Sequence, residues 1–156
     1  MLMLLKILDK LKRELYRCTH AFLWRKNVQI NGIPKIVASK KLEIGENVSI
    51  NQNVYLQCSG GVKIGNNVTL SYGTAILTAG LDVGNYVNNA KKQYRDHVLL
   101  PVEIGDGTWI AANVTVLPGV KIADCCVVAA GAVVSKDLNE PNCLYGGVPA
   151  KFIRKL

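Results

Sequence analysis

From Ile104 to Lys136 the chain reads IGDGTW, IAANVT, VLPGVK, IADCCV, VAAGAV, VSK. Cut in this way, every segment opens on a β-branched aliphatic: Ile104, Ile110, Val116, Ile122, Val128 and Val134. The next residue is often small, as at Gly105, Ala111, Ala123 and Ala129. The residue four places after the aliphatic is small or β-branched: Thr108, Val114, Val120, Cys126 and Ala132. A period of six fits neither the 3.6-residue repeat of an amphipathic helix nor the two-residue repeat of a half-buried strand. It fits a solenoid whose short parallel strands turn a corner every six residues. Three faces make a coil of about 18 residues, and coils stack at the inter-strand spacing of about 4.8 Å.

Outward from this stretch the same register continues. Ile64, Leu70 and Ile76 are six apart, as are Ile44, Ile50 and Leu56, with a two-residue slip at Gly60–Gly61 between the sets. Ile30 and Ile36 begin the series. Gly and Asn recur near the expected corners, in IGENV, IGNNV and IGDGT, where a positive φ is often needed. The chain therefore divides into a helical segment, 1–26, a solenoid, 27–137, and a closing segment, 138–156. The solenoid is interrupted by residues 79–102, which keep no six-residue register, and a loop of that length is usually functional.

The N-terminal segment has its own periodicity. Leu4, Ile7, Leu8, Leu11, Leu15, Cys18 and Phe22 follow helical spacing, with Lys6, Lys10, Lys12, Arg13 and Arg17 filling the rest. Two readings are open: a cap packed on the end of the solenoid, which terminal coils require, or a basic amphipathic helix in peripheral contact with a membrane surface. Lys6 and Asp9 break the apolar run, so it does not read as a signal peptide, and no stretch approaches the ~18 apolar residues of a spanning helix.

The formal net charge of +8 favours anionic partners. Aromatic residues make up only 6%, with no RNA-binding aromatic motif and no zinc-finger spacing, which argues against nucleic acid. Five cysteines without regular spacing argue against a disulfide framework and for reduced thiols in a cytoplasmic protein, most of them serving as small core residues.

The run PVEIGDGTWIAANVTVLPGVKIADCCVVAAGAVVSKD and the later GGVPAKFIRK resemble the hexapeptide-repeat acetyltransferases, most of all the sugar O-acetyltransferase branch of galactoside, maltose and capsular or lipopolysaccharide enzymes. The resemblance covers about residues 30–156. It implies an all-β, left-handed parallel β-helix, an exception to the right-handed crossover rule. It also implies a homotrimer with sites between neighbouring subunits, acetyl-CoA as co-substrate and no metal. The implied reaction is direct attack of a sugar or polysaccharide hydroxyl on the thioester, with a histidine as general base. Transfer to an amine of an amino acid or amino sugar, or a catalytically degenerate scaffold that still binds CoA, are the alternatives.

The chain has two histidines, His20 and His97. That number excludes a three-histidine zinc site of the carbonic anhydrase kind. His20 falls in the helical segment, outside the repeats. His97, in the RDH cluster of the long loop, is the candidate base; the competing reading is a solvated loop histidine. The chain departs from the sugar branch here, because Leu81 stands where the family histidine belongs. Either His97 supplies the base from a repositioned loop or the base is lost. Asp82 and Asp96 are candidate carboxylates to orient the ring.

The remaining assignments follow the resemblance residue by residue. Asn53 matches an acceptor contact, with a plain corner role as the alternative. Trp109 matches an aromatic near the cofactor channel, with core packing as the alternative. Ala112 and Ala130 match positions lining the pantetheine arm. Ser135 and Lys136 match a pair near the cofactor. Lys151 and Arg154 match cations that face the CoA phosphates, where charge-assisted hydrogen bonds favour them.

Overall fold

The computed structural model describes residues 2–20, 26–84, 86–89, 91 and 95–156. In it the six-residue repeat becomes three parallel sheets wrapped around one core. The first face stacks Gln29–Ile30, Ser49–Ile50, Thr69–Leu70, Trp109–Ile110 and Val127–Val128. The second stacks Lys35–Val37, Tyr55–Gln57, Ala75–Leu77, Thr115–Val116 and Val133–Val134. The third stacks Leu42–Ile44, Val62–Ile64, Val102–Ile104 and Lys121–Ile122.

Register pairs each aliphatic with its equivalent in the next coil, so that Ile50, Leu70, Ile110 and Val128 form one buried column. The position four residues later forms a second interior column at the corners, including Val54, Val114 and Ala132. Hydroxyls in that interior are satisfied: Thr74 donates to the Ala111 carbonyl at 3.3 Å and Thr108 to the Ala123 carbonyl at 3.1 Å. Truncating a core member such as the fully buried Ile76 to Ala would cost about 2–5 kcal/mol, through lost apolar burial and the void left behind.

The early coils are longer than the expected 18 residues. Gln29 pairs with Ser49 and Ser49 with Thr69, a 20-residue coil in each case. Trp109 pairs with Val127, an 18-residue coil. The additional residues sit at the corner between the second and third faces, in a 3-10 turn at Ser39–Lys41 and in the Gly60–Gly61 slip. Gly60 is required there: a Cβ would come within 2.7 Å of the Thr78 carbonyl oxygen and 2.9 Å of the Leu100 amide nitrogen. At the third–first corner, Asn47, Asn67 and Cys125 hold left-handed backbone, and Asn27, Asn47 and Asn67 are linked through their side-chain amides.

The two ends of the chain add detail to the boundaries read from sequence. The closing segment leaves the six-residue register after residue 138 but stays joined to the solenoid. Leu138 is buried and bridges to Ile122, and Cys143–Gly146 adds a parallel strand to the first face before Lys151–Lys155 folds back antiparallel. The helix, α1, runs Leu2–Thr19; Lys26 and Asn27 form a turn, and residues 21–25, which include Phe22, lie outside the described residues. The helix attaches to the first coil by the side away from its apolar stripe. Tyr16 packs against the core and Arg13 donates to the Asn31 carbonyl at 3.3 Å, whereas Ile7, Leu8, Leu11 and Leu15 are 46%, 43%, 61% and 67% exposed. His20 stacks on Tyr16 with ring centroids 4.1 Å apart.

Cys58, Cys126 and Cys143 are buried, Cys18 and Cys125 exposed, and none is paired. Among the described residues no helix is long and apolar enough to cross a membrane.

Candidate functional site

The long excursion leaves the solenoid at the second–third corner, one coil above the Gly60–Gly61 slip. It goes out as strand Ala79–Leu81, passes through a short helix, α2, at Tyr86–Asn89, and returns as strand His97–Leu99. The two strands are antiparallel, and the register sets His97 opposite Leu81. Directly opposed residues in such a ladder project on the same face, with Cβ atoms about 4.5–5.5 Å apart. The imidazole therefore stands beside the position from which the expected histidine is missing. The base of the excursion is held by Leu100 N–H to the Thr78 carbonyl at 2.9 Å and Ala79 N–H to the Gln57 side-chain oxygen at 3.1 Å.

His97 is exposed, and its Nδ1 lies 2.9 Å from the Arg95 carbonyl oxygen. A carbonyl only accepts, so Nδ1 carries the proton of the neutral ring and Nε2 is left as the open acceptor. That tautomer suits a general base. Arg95 is itself fixed, donating to the Tyr86 hydroxyl at 2.7 Å with its guanidinium 4.8 Å from the ring centroid. The group orienting the imidazole is thus a backbone carbonyl, not the Asp82 carboxylate, which accepts the Gly84 N–H at 2.9 Å. Asp96 contributes its backbone carbonyl, accepting the Asp82 N–H at 2.9 Å.

Asn53 is at the first–second corner with φ 58, so its backbone does fill a corner role. Its exposed side chain also donates to the Tyr72 hydroxyl at 3.0 Å. Tyr72, half-exposed in the next coil, was not apparent from sequence. Trp109 is not a core residue: it is 50% exposed and its indole N–H donates to Ser71 Oγ at 2.9 Å. The signal for this was present, since Trp109 immediately precedes the inward-pointing Ile110 and strand side chains alternate.

Ala112 and Ala130 also lie at the first–second corner, one coil apart and joined by the Gly131 N–H to Ala112 carbonyl bond at 2.9 Å. Lys151, exposed, opposes Gly146 beside the same corner, and exposed Arg154 opposes Leu144 on the first face. Ser135 and Lys136, both exposed, instead occupy the second–third corner, below which the excursion emerges. The structure thus forms two groups: Asn53, Tyr72, Ala112, Ala130 and Lys151 at one corner, His97, Ser135 and Lys136 at the other. The second face separates them in a single chain.

A cavity of about 450 Å³ lies between α1 and the first–second corner, lined by Asp9, Lys12, Arg13, Gln52 and Asn53 among others. The third face is different in kind. Glu43, Lys63, Glu103 and Lys121 alternate in sign up its outer surface, with Lys121 Nζ 3.0 Å from Glu103 Oε1. The nearby acids are corner staples: Asp106 accepts the Asn66 N–H at 2.7 Å and Asp124 the Asp106 N–H at 2.8 Å. Among the described residues no cluster of His, Cys, Asp or Glu has the makings of a metal site.

Residues 101–136 match the family model "Bacterial transferase hexapeptide (six repeats)". The galactoside O-acetyltransferase of Escherichia coli K12 is 32% identical over 115 residues, 74% of this chain and 54% of that protein. The crystal structure of a maltose O-acetyltransferase from Clostridium difficile superposes with a TM-score of 0.75 at 30% identity, over 84% of this chain and 67% of the other. A hexapeptide-repeat-containing acetyltransferase from Vibrio cholerae, complexed with acetyl coenzyme A, has a TM-score of 0.73 at 29% identity, over 96% and 79% of the two chains. The chain spans about half the length of the curated relatives it matches. The solenoid is the left-handed parallel β-helix of these proteins.

Proposed function

Because the chain belongs to the hexapeptide-repeat acetyltransferases, we propose that it transfers an acetyl group from acetyl-CoA to a hydroxyl of a sugar or polysaccharide precursor in the cytoplasm. The observation that carries this reading is the opposition of His97 and Leu81 across the excursion hairpin. The returning strand sets the Cβ of His97 about 5 Å from that of Leu81, the position to which the resemblance assigns the family histidine. A pure scaffold has no need of an imidazole there.

Nε2 of His97 takes the proton from the acceptor hydroxyl as its oxygen attacks the thioester carbonyl carbon. The tetrahedral oxyanion is stabilised by backbone N–H groups. Collapse breaks the carbon–sulfur bond, and the imidazolium returns the proton to the departing CoA thiolate. Ala112 and Ala130 leave room for the pantetheine arm, Ser135 and Lys136 lie beside the cofactor, and Lys151 and Arg154 meet its phosphates. Asn53 contacts the acceptor.

The division of these residues between two corners supports a site completed by a neighbouring subunit of a homotrimer. Surface character agrees. Above the exposed Lys35 of its first strand, the outer positions of the second face, Tyr55, Ala75, Thr115 and Val133, are uncharged and half-buried in a lone chain, while the third face carries its charge ladder.

The test is incubation with acetyl-CoA and a panel of saccharide acceptors, following free thiol release and the acceptor's gain of one acetyl group by mass spectrometry. Acetylation of an amine in preference to a hydroxyl would move the assignment to N-transfer. Tight CoA binding without transfer to any acceptor would leave the scaffold.

A further inference from the structure

We infer that α1 is an interfacial helix that docks the protein on an anionic lipid surface through the Ile7, Leu8, Leu11, Leu15 stripe. The stripe is the side of α1 that the fold does not use. Arg13 and Tyr16 attach the helix to the first coil. At 100° per residue, the centre of the stripe lies about 160° around the helix from the midpoint of those two anchors. All four stripe residues are exposed, Leu11 and Leu15 by more than half, and exposed Cys18 continues the line.

Charge identifies what covers the stripe. Lys10 and Lys12 are exposed and leave the helix about 100° to either side of Leu11; Glu14 lies between Lys10 and the stripe, about 70° from its centre, and Lys12 also lines the cavity against the first coil, so the flanks are cationic on balance. The segment Leu2–Thr19 carries Lys6, Lys10, Lys12, Arg13 and Arg17 against Asp9 and Glu14. Asp9 lines the cavity on the solenoid side, away from the stripe. An apolar strip bordered by cations is the pattern of a helix lying in the headgroup layer, where aliphatic side chains enter the acyl boundary and lysines meet lipid phosphates. A second copy of the helix fits worse, since a two-fold pairing sets the same cationic flanks against each other. At 18 residues, with charges throughout, α1 lies on a membrane and does not span one. Its anchors are on the end coil, so the stripe stays clear of the lateral faces of the solenoid. This reading stands whether or not the acetyl-transfer assignment holds.

The test is flotation of the full chain with phosphatidylglycerol–phosphatidylcholine vesicles and with pure phosphatidylcholine vesicles. The expected result is recovery with the anionic vesicles, at least tenfold less with the neutral ones, and release by added salt. Leu11→Asp/Leu15→Asp is expected to abolish recovery while circular dichroism and the mass in solution stay unchanged. Lys10→Glu/Lys12→Glu, which leaves the stripe intact, is expected to lower recovery on anionic vesicles at least tenfold. Failure of the unaltered chain to float with anionic vesicles overturns the proposal. So does a change in oligomeric mass in the Leu11→Asp/Leu15→Asp variant, which would make the stripe a contact between copies.

Discussion

If the base has moved across the hairpin, it is expected to be movable back. His97→Ala removes the only imidazole of the excursion and is expected to lower turnover by about 10²–10⁴-fold, or about 2.7–5.4 kcal/mol of barrier. Restoring a histidine at the family position, as His97→Ala/Leu81→His, is expected to recover part of that loss. The two positions oppose each other in the ladder, so the new ring starts from a Cβ about 5 Å from the old one and projects on the same face. Recovery is partial because the Arg95 carbonyl that holds Nδ1 of His97 serves the returning strand, and the transplanted ring arrives without it. Leu81 is 39% exposed and His97 is exposed, so neither change touches the core, and stability is expected to shift by no more than about 0.5 kcal/mol. The assay is thiol release at saturating acetyl-CoA, with the cofactor Kd measured separately and expected to stay constant. Full activity in His97→Ala refutes the base assignment. Loss with no recovery in the double variant refutes the cross-strand replacement and leaves His97 acting from a different place.

Other expectations follow from the same geometry. Lys151→Ala and Arg154→Ala should each weaken CoA binding about tenfold at low salt, with less effect as salt rises, measured by calorimetry; this corresponds to losing one charge-assisted contact. Light scattering should give a particle of three 17.0 kDa chains, and a monomer at micromolar concentration would remove the partner that completes the site. Asn53→Ala should lower kcat/KM for the acceptor about fivefold or more without altering the KM for acetyl-CoA, and Tyr72→Phe, which removes the hydroxyl that Asn53 holds, should have a smaller effect in the same direction. Burial pushes the Cys58 thiol up to about 11. A raised folded value leaves stability intact below the unfolded thiol range, about 8.5, and erodes it as pH climbs towards the folded value, because the unfolded chain ionises first. The melting temperature should fall over that window less steeply in Cys58→Ala than in the natural chain.

The solenoid was legible because its core is one-dimensional. Each coil repeats the demand of the last, so Ile104, Ile110, Val116 and their successors announce inward positions without any knowledge of distant contacts. Legibility failed where the demand was not periodic. Cys143 and Tyr145 point inward and extend the first face, yet they follow Leu138 at spacings that break the six-residue count, because the chain from Asn139 to Asn142 makes a longer corner. In α1 the helical pattern was plain but its orientation was not. Spacing identifies an apolar stripe, and only the docked structure shows that Tyr16 and Arg13, on the other side, make the attachment.

The candidate site was legible as a set of residues and not as an arrangement. Sequence offered His97 and Leu81 sixteen positions apart, one a histidine out of place and the other a place without a histidine, with no geometry to connect them. Only the hairpin register makes them a pair, and register here depends on how an aperiodic excursion folds back on itself. The same holds for Asn53 and the donor-side positions. Corner assignments follow from counting, which puts Asn53, Ala112 and Ala130 at one edge and Ser135 and Lys136 at another. What counting also implies is that these edges belong to different ends of the second face, so no refolding of a single rigid solenoid brings them together. Under the proposed assignments, a base on one corner and an acceptor contact on the next act on one substrate through the corner of a second chain, which the proposed trimer would supply.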